Sequence, residues 1–259
     1  MDHHSSSIRE QAVALMRQGI PNHVVAEHLG IPRGTIGWWR SEDRRLRGEV
    51  YEQPTDCPRC TQRPYDREAY AYLLGLYLGD GHIIAKRKQH HLSIFCNAKQ
   101  TGLVAAAEQA MFKVMPQANI SRRTRTGCTE VKSYSMHWPC LFPQHGPGKK
   151  HERVIALEPW QQDVVDAHPW EFLRGLIHSD GCRVVNWTER TVGGERKRYE
   201  YPRYFFTNVS DDIRGLYTDT LDGLGITWTH CTRQGNPYNI SVARKTDTAL
   251  MDQHIGPKY

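Results

Sequence analysis

The chain lacks any apolar run long enough to cross a bilayer, and its mean hydropathy of -0.65 agrees that no spanning helix is present. The polar opening MDHHSSSIRE has no apolar centre of a secretory signal, so a cytoplasmic location is expected. A disulfide framework is also missing, because the seven cysteines are odd in number and scattered. The 14 histidines form no HExxH or HxH pattern, which leaves them without a metal assignment. Cys57-Pro-Arg-Cys60 has half of a zinc knuckle's spacing, but no second CxxC follows it. Reduced thiols are the expected state there. A Zn²⁺ site at Cys57 and Cys60 is the alternative, and it needs ligands from elsewhere, such as Cys128, Cys140 or a histidine. A redox role is unsupported, since no thioredoxin-like βαβ pattern surrounds the pair.

What is present is an ordinary globular composition, 39% hydrophobic and 24% charged, so disorder is not the default. A length of 259 residues suffices for one large domain or two smaller ones. The net charge of +6 leans toward a polyanionic partner without establishing one. Pattern divides the chain into a helical opening (1–48), a polar linker holding the CxxC (49–63), and a long mixed region that repeats itself (64–168 and 169–259).

In the opening, Val25, Leu29, Ile31, Ile36 and Trp39 have the spacing that fills the angle between two short helices. Ala26 falls where the helices meet, Gly30 supplies the turn, and Pro32 suits the first turn of the second helix. This is the helix-turn-helix pattern. Its second helix presents Arg33, Thr35, Trp38 and Arg40 near the exposed side, residue types suited to base edges, thymine methyls and phosphates, with Arg33, Thr35 and Arg40 as the candidate DNA contacts. A three-helix protein-binding module with solvated arginines is the plainer reading.

In the mixed region, Leu73 to Gly81 reads LLGLYLGDG and Leu173 to Gly181 reads LRGLIHSDG. Each copy continues with an alternating stretch, a helical stretch (Thr101 to Met115; Asp211 to Leu224), another alternating stretch, and a close that reads GPGKK in one copy and GPKY in the other. HIIAKR and HLSIFCN, then CRVVNWTE and RYFFTNVS, are the expected strands, joined by polar or glycine-containing turns. The expected fold is α+β: a duplicated αββαββ-like unit with antiparallel sheets, helices on one sheet face and the other face free, preceded by a small all-α domain.

Gly75 and Gly79, and Gly175 and Ser179, are small residues four apart, a spacing that lets two helix backbones touch. Each helix then ends in Asp-Gly, which sets a carboxylate at the negative end of its own dipole, unfavourable by about 0.3 to 1 kcal/mol. If the helices pack side by side, Asp80 and Asp180 meet, and two bare carboxylates a few Å apart repel by roughly 4 kcal/mol at an effective dielectric near 20. A divalent cation removes that penalty, and Mg²⁺ shared with phosphate oxygens suits phosphodiester hydrolysis. A local rule broken twice points to function.

With these motifs the chain resembles the LAGLIDADG (DOD-type) homing endonuclease family, in particular its monomeric two-motif members, over about residues 64 to 259. The resemblance implies a saddle-shaped antiparallel sheet straddling double-stranded DNA, the motif helices at a pseudo-twofold interface, and Mg²⁺-dependent hydrolysis. The family's catalytic, metal-binding acid falls on Asp80 and Asp180. Leu78 and His178 stand where the consensus has an earlier acid that is not the metal-binding one. The basic side chain that the family adds from a later strand matches Lys245 in copy two. In copy one the candidate is Lys132, a less clear match. Further DNA contacts are expected from Lys86, Arg87, Lys88, Arg183, Arg196, Lys197 and Arg198, with the solvated turn as the plainer reading for the last three. A monomer working on DNA beside the nucleoid is expected, because the duplication supplies the symmetry internally. A non-cleaving transcription regulator on the same fold is the rival reading, and a repair nuclease without a fixed site is the third.

Overall fold

The computed structural model describes residues 4–49, 57–86, 89–233, 235–256 and 258–259. The chain forms two compact units, Met1–Thr55 and Asp56–Tyr259. The CxxC therefore belongs with the second unit and not with a linker.

The first unit holds α1 (Ser6–Arg17), α2 (Asn22–Leu29) and α3 (Arg33–Leu46). The Ser5 side chain caps α1 by accepting from the Ile8 amide. Gly30 ends α2 in the left-handed region at φ 65°, which a glycine enters without strain, and Pro32 is the extended cap before α3, one residue ahead of the first turn expected for it. Val25, Ala26, Ile31, Ile36 and Trp39 close over Ala12 and Met16 as a small core, while Leu29 packs at its edge. The spacing in the sequence thus reports the core of this unit directly.

The second unit opens with α4 (Pro58–Thr61) and then runs twice through one order of elements. The first pass is α5 (Arg67–Asp80), β1 (Gly81–Lys86), β2 (Gln89–Asn97), α6 (Thr101–Val114), β3 (Asn119–Arg125), β4 (Cys128–Tyr134) and α7 (Trp138–Leu141). After a single 3₁₀ turn at Lys150–Glu152 and α8 (Pro159–Ala167) comes the second: α9 (Pro169–Asp180), β5 (Gly181–Val192), β6 (Glu195–Thr207), α10 (Asp211–Gly223), β7 (Thr229–Arg233), β8 (Asn236–Val242) and α11 (Lys245–His254). The two antiparallel sheets have matching orders, β1-β2-β4-β3 and β5-β6-β8-β7. This is the α+β duplication read from the sequence. No helix among the described residues is long and apolar enough to cross a membrane.

Register sorts the side chains. In the first sheet Leu92, Ile94 and Val131 point into the core, and His82, Ser93 and Lys132 share the opposite face. The β5–β6 hairpin is longer than expected. Beyond Tyr204, the last β6 residue paired to β8, the two strands pair only with each other from Val184↔Arg203 to Val192↔Glu195. That ribbon projects for about 30 Å at about 3.4 Å per residue. Gly193 and Gly194, at φ 62° and 85°, make its two-residue turn.

Candidate functional site

The site begins with two helices that touch backbone to backbone. An added Cβ on Gly75 would lie 2.5 Å from the Phe172 carbonyl oxygen, and one on Gly175 would lie 2.2 Å from that of Tyr72. One turn further on, a Cβ on Gly79 would fall 2.4 Å from Ser179 Cβ and 3.0 Å from Asp180 Oδ2. Only glycine permits this approach. The Asp66 side chain caps the start of α5, which is buried on all sides from Ala69 to Leu78. A cross-helix hydrogen bond of 3.0 Å joins the Tyr72 hydroxyl and His178 Nδ1 inside the interface. Burial holds that imidazole down at about 4, so it is neutral at ordinary pH.

Asp80 and Asp180 end the two helices and meet as the repeat predicts. Asp80 stands exposed at its helix end yet among enough protein to lose part of its hydration. That desolvation, with the charge of Asp180, pushes its carboxyl up to about 6. Asp180 is raised by the same loss of hydration, offset by a 2.6 Å hydrogen bond from Asn208 Nδ2 and by two nearby lysines. The two halves differ here. Gly81 pairs with Ile94 and Gly181 with Phe206, so the position matching Asn208 is Cys96, whose thiol is pushed up by burial and by Asp80. Among the described residues no side chain donates a hydrogen bond to the Asp80 carboxylate.

The lysines are Lys150 and Lys258, from the repeated closes GPGKK and GPKY. Lys150 Nζ donates to the Tyr77 carbonyl and, at 2.8 Å, to that of Gly79, capping the end of α5. Lys258 Nζ donates to the Ser179 carbonyl at 2.9 Å and caps α9. Each ammonium meets the negative end of one helix dipole and acts on both aspartates, more strongly on the one that ends the neighbouring helix, Lys150 on Asp180 and Lys258 on Asp80. Burial still lowers Lys150 to about 8 and lowers Lys258 as well, against the pull of both aspartates. A cleft of about 430 Å³ opens here, lined by Gly79, Lys150, His151, Asp180 and Asn208 among others. The closes were visible in the sequence as a repeated ending. Nothing in one dimension showed that they fold back onto the helix ends.

The other expected site residues scatter. Lys245 is exposed at the first position of α11 and is not among the groups acting on either aspartate. Lys132 pairs with the buried Glu130 at 3.2 Å. The local sequence explains both placements: Lys245 follows the last strand, where the chain turns into a helix, and Lys132 lies mid-strand beside Glu130. In the first unit Arg33 is exposed and Thr35 half-buried, whereas Arg40 is half-buried and hydrogen-bonded to Asn22 at 2.8 Å, tying α3 to α2. Trp38 is 52% exposed with the Arg9 guanidinium 5.5 Å from its ring.

On the hairpin, alternation separates the basic residues into two sets. Arg183, Arg196 and Arg198 share the face of the buried Tyr204 and each has an acid: Arg183 holds Asp252 through two bonds of 2.6 and 2.8 Å, Arg196 meets Glu189 at 3.4 Å, and Arg198 meets Glu200 at 2.7 Å. Arg190, Lys197 and Arg203 lie on the other face with Tyr199 and Tyr201, and the only carboxylate there is Glu195 at the tip. The Arg203 guanidinium lies over Tyr201 at 5.5 Å and over Phe205 at 5.6 Å. The corresponding face of the first sheet carries His82, Lys132, Arg123 and Arg125 around the single acid Glu130. Arg87 and Lys88, and the side chain of Lys86, lie outside the described residues. Cys57 and Cys60 gather with His137 and Cys140, and Cys128 begins β4 outside that group.

No family model and no curated protein matches this chain. Among solved structures it is similar to I-DmoI in complex with DNA and Mn, at 13% identity over 74% of this chain and 98% of that one, with a TM-score of 0.49. I-DmoI is a homing endonuclease. It is similar also to the N-terminal LAGLIDADG domain of DUF199/WhiA, at 13% identity over 76% of this chain and 85% of that one, TM-score 0.47. Full-length DUF199/WhiA from Thermatoga maritima gives 13% identity over 77% of this chain and 59% of that one, TM-score 0.46. At such distances the chemistry of the site rests on this chain's own residues.

Proposed function

We propose that the protein is a site-specific, divalent-metal-dependent endonuclease of double-stranded DNA, of the LAGLIDADG type. One observation carries the reading. Two carboxylates are brought together at the ends of helices that only glycines allow to touch, and Asp80 stays pushed up to about 6 even with Lys150 and Lys258 beside the pair. A site evolved for stability alone has no reason to strip water from a carboxylate and set a second carboxylate beside it.

The donor set fits a hard cation: two carboxylates, one with no hydrogen-bond donor among the described residues and one held by a single amide. Asp80 and Asp180 would hold Mg²⁺, which when bound supplies Lewis-acid stabilisation of charge developing on the attacking and leaving oxygens of a phosphodiester. Asn208 orients the Asp180 carboxylate. Lys150 and Lys258 fix both helix ends and add positive potential where a phosphate must approach. The unopposed basic face of the β5–β6 ribbon, Arg190, Lys197 and Arg203 with two tyrosines, suits a major groove, which admits a two-stranded ribbon. In the first unit the exposed Arg33 and Trp38 lie on the helix that a helix-turn-helix presents to DNA.

A specific observation favours the rival regulator: the two half-buried lysines offset part of the carboxylate charge without any metal. One experiment separates the readings. Double-stranded fragments bound in Ca²⁺ are selected from random DNA, transferred to Mg²⁺ and examined for strand breaks, beside an Asp80→Asn/Asp180→Asn variant. Breaks from the wild type alone are the expected result. Tight site-specific binding with intact DNA in both would overturn the nuclease and leave the regulator.

A further inference from the structure

Outside the aspartate pair, one cluster of side chains has the composition and spacing of a metal site. Cys57 and Cys60 lie at the start of α4, and His137 and Cys140 lie at the start of α7, 77 and 80 residues from Cys60. One ligand atom from each of the four falls within 4.8 Å of the others. Cys60 Sγ is 3.8 Å from Cys140 Sγ, Cys60 Sγ is 3.4 Å from His137 Nδ1, and Cys140 Sγ is 3.8 Å from the same nitrogen.

These separations discriminate among uses of the thiols. A disulfide needs its sulfurs about 2.05 Å apart. A tetrahedral Zn²⁺ with Zn–S near 2.3 Å and Zn–N near 2.05 Å sets its sulfurs about 3.8 Å apart and its sulfur and nitrogen about 3.6 Å apart. The separations among Cys60, His137 and Cys140 match the tetrahedron, and the Cys57 sulfur lies within 4.8 Å of all three. The sequence pattern becomes C-x2-C followed by H-x2-C, with the second half hidden because its first ligand is a histidine 77 residues on. Gln62, just after α4, has φ 54°, the one non-glycine among the described residues in the left-handed region. A backbone held that way beside a CxxC fits a chain folded tightly around its ligands.

We infer that Cys57, Cys60, His137 and Cys140 bind a structural Zn²⁺ that pins the head of the second unit to its first repeat. All four positions are filled by protein, which distinguishes a structural site from a catalytic one. The need is visible in the elements themselves. In the second repeat, β8 leads into α11, which has 10 residues, whereas in the first repeat β4 leads into α7, which has 4, and α4 also has 4. Such short helices do not persist alone. Clamped together, they seat Trp138 and Leu141 in the core and anchor the start of the segment that carries Lys150 to the end of α5.

The full chain, purified under reducing conditions without chelator, is expected to carry one equivalent of zinc by elemental analysis. Co²⁺ exchanged for it is expected to show the intense visible bands of a tetrahedral ion with thiolate charge transfer. Cys57→Ser and Cys140→Ser should each lower bound zinc at least tenfold, whereas Cys128→Ser, Cys231→Ser and Asp80→Asn/Asp180→Asn should keep it; the last variant separates this site from the aspartate pair. If the ligand variants fail to fold, the wild type decides through cobalt titration after chelation. A folded, reduced wild type without zinc and without the cobalt bands overturns the inference. So does zinc retained in every cysteine variant, or a Cys60–Cys140 disulfide in metal-free protein.

Discussion

Replacing Gly175 by alanine tests the contact on which the whole site depends. The added methyl would stand 2.2 Å from the Tyr72 carbonyl oxygen, 2.9 Å from Gly75 Cα and 2.9 Å from the Leu76 nitrogen. All three are backbone atoms, so no side chain can rotate away and the helices must part by roughly 1 Å to restore van der Waals distance. Overpacking of this kind costs about 1 to 3 kcal/mol or more, against which the better helix propensity of alanine returns only about 1 kcal/mol. With three backbone clashes the cost falls at the upper end of that range, so the net expectation is a loss of up to about 2 kcal/mol, a fall in Tm of up to roughly 4 to 8 °C for a unit of this size. Gly215→Ala, in α10 with nothing within 4 Å of the added Cβ, is the matched control and should gain about 0.5 to 1 kcal/mol. Because Asp180 lies five residues along the same helix, Gly175→Ala should also weaken Mg²⁺ binding, read by calorimetry on the folded variant. A Gly175→Ala protein as stable as Gly215→Ala, with unchanged metal affinity, would refute the close helix contact and the site built on it.

Three further outcomes follow from the charges. Asp80 has a folded pKa of about 6, above its value of about 3.9 in the unfolded chain, so the stability it contributes is present below about pH 4 and is lost as pH rises through about 6. Metal-free unfolding curves should show that decline, Asp80→Asn should remove it, and half-saturation by Mg²⁺ should need up to about tenfold more metal per pH unit below 6, measured by titration calorimetry. Asn208→Leu removes the one amide that lowers Asp180, so the Asp180 carboxyl should titrate higher than in the wild type, followed by carboxyl NMR. On DNA, Lys197→Ala and Arg190→Ala should each reduce the slope of log affinity against log salt by about 1 with unfolding unchanged, whereas Arg183→Ala should lose stability through its Asp252 pair, with little change in slope. Equal slopes for all three, compared in one binding series, would count against the assignment of faces.

Local pattern settled a large part of this protein. The apolar spacing from Val25 to Trp39 specified two helices packed at an angle, because residues three and four apart on a helix must share a face, and the structure adds Ala12 and Met16 of α1 to that core. The repeated small residues and Asp-Gly endings specified two touching helices with a carboxylate each, since both features are contained within a single helix. Strand placement was legible for the same reason, apart from the outer half of the β5–β6 hairpin, where both faces are exposed and alternation of polarity disappears. Tertiary structure decided what chain-distant groups do. Lys150 and Lys258 reach the ends of α5 and α9 from 70 and 78 residues beyond the aspartates that close those helices, so no spacing rule picks them over Lys245. Register decided which arginines are spent on acids, putting Arg183, Arg196 and Arg198 beside partners and leaving Lys197, Arg190 and Arg203 unopposed. The fold alone completed the CxxC, because His137 and Cys140 join it only when α7 comes to rest against α4.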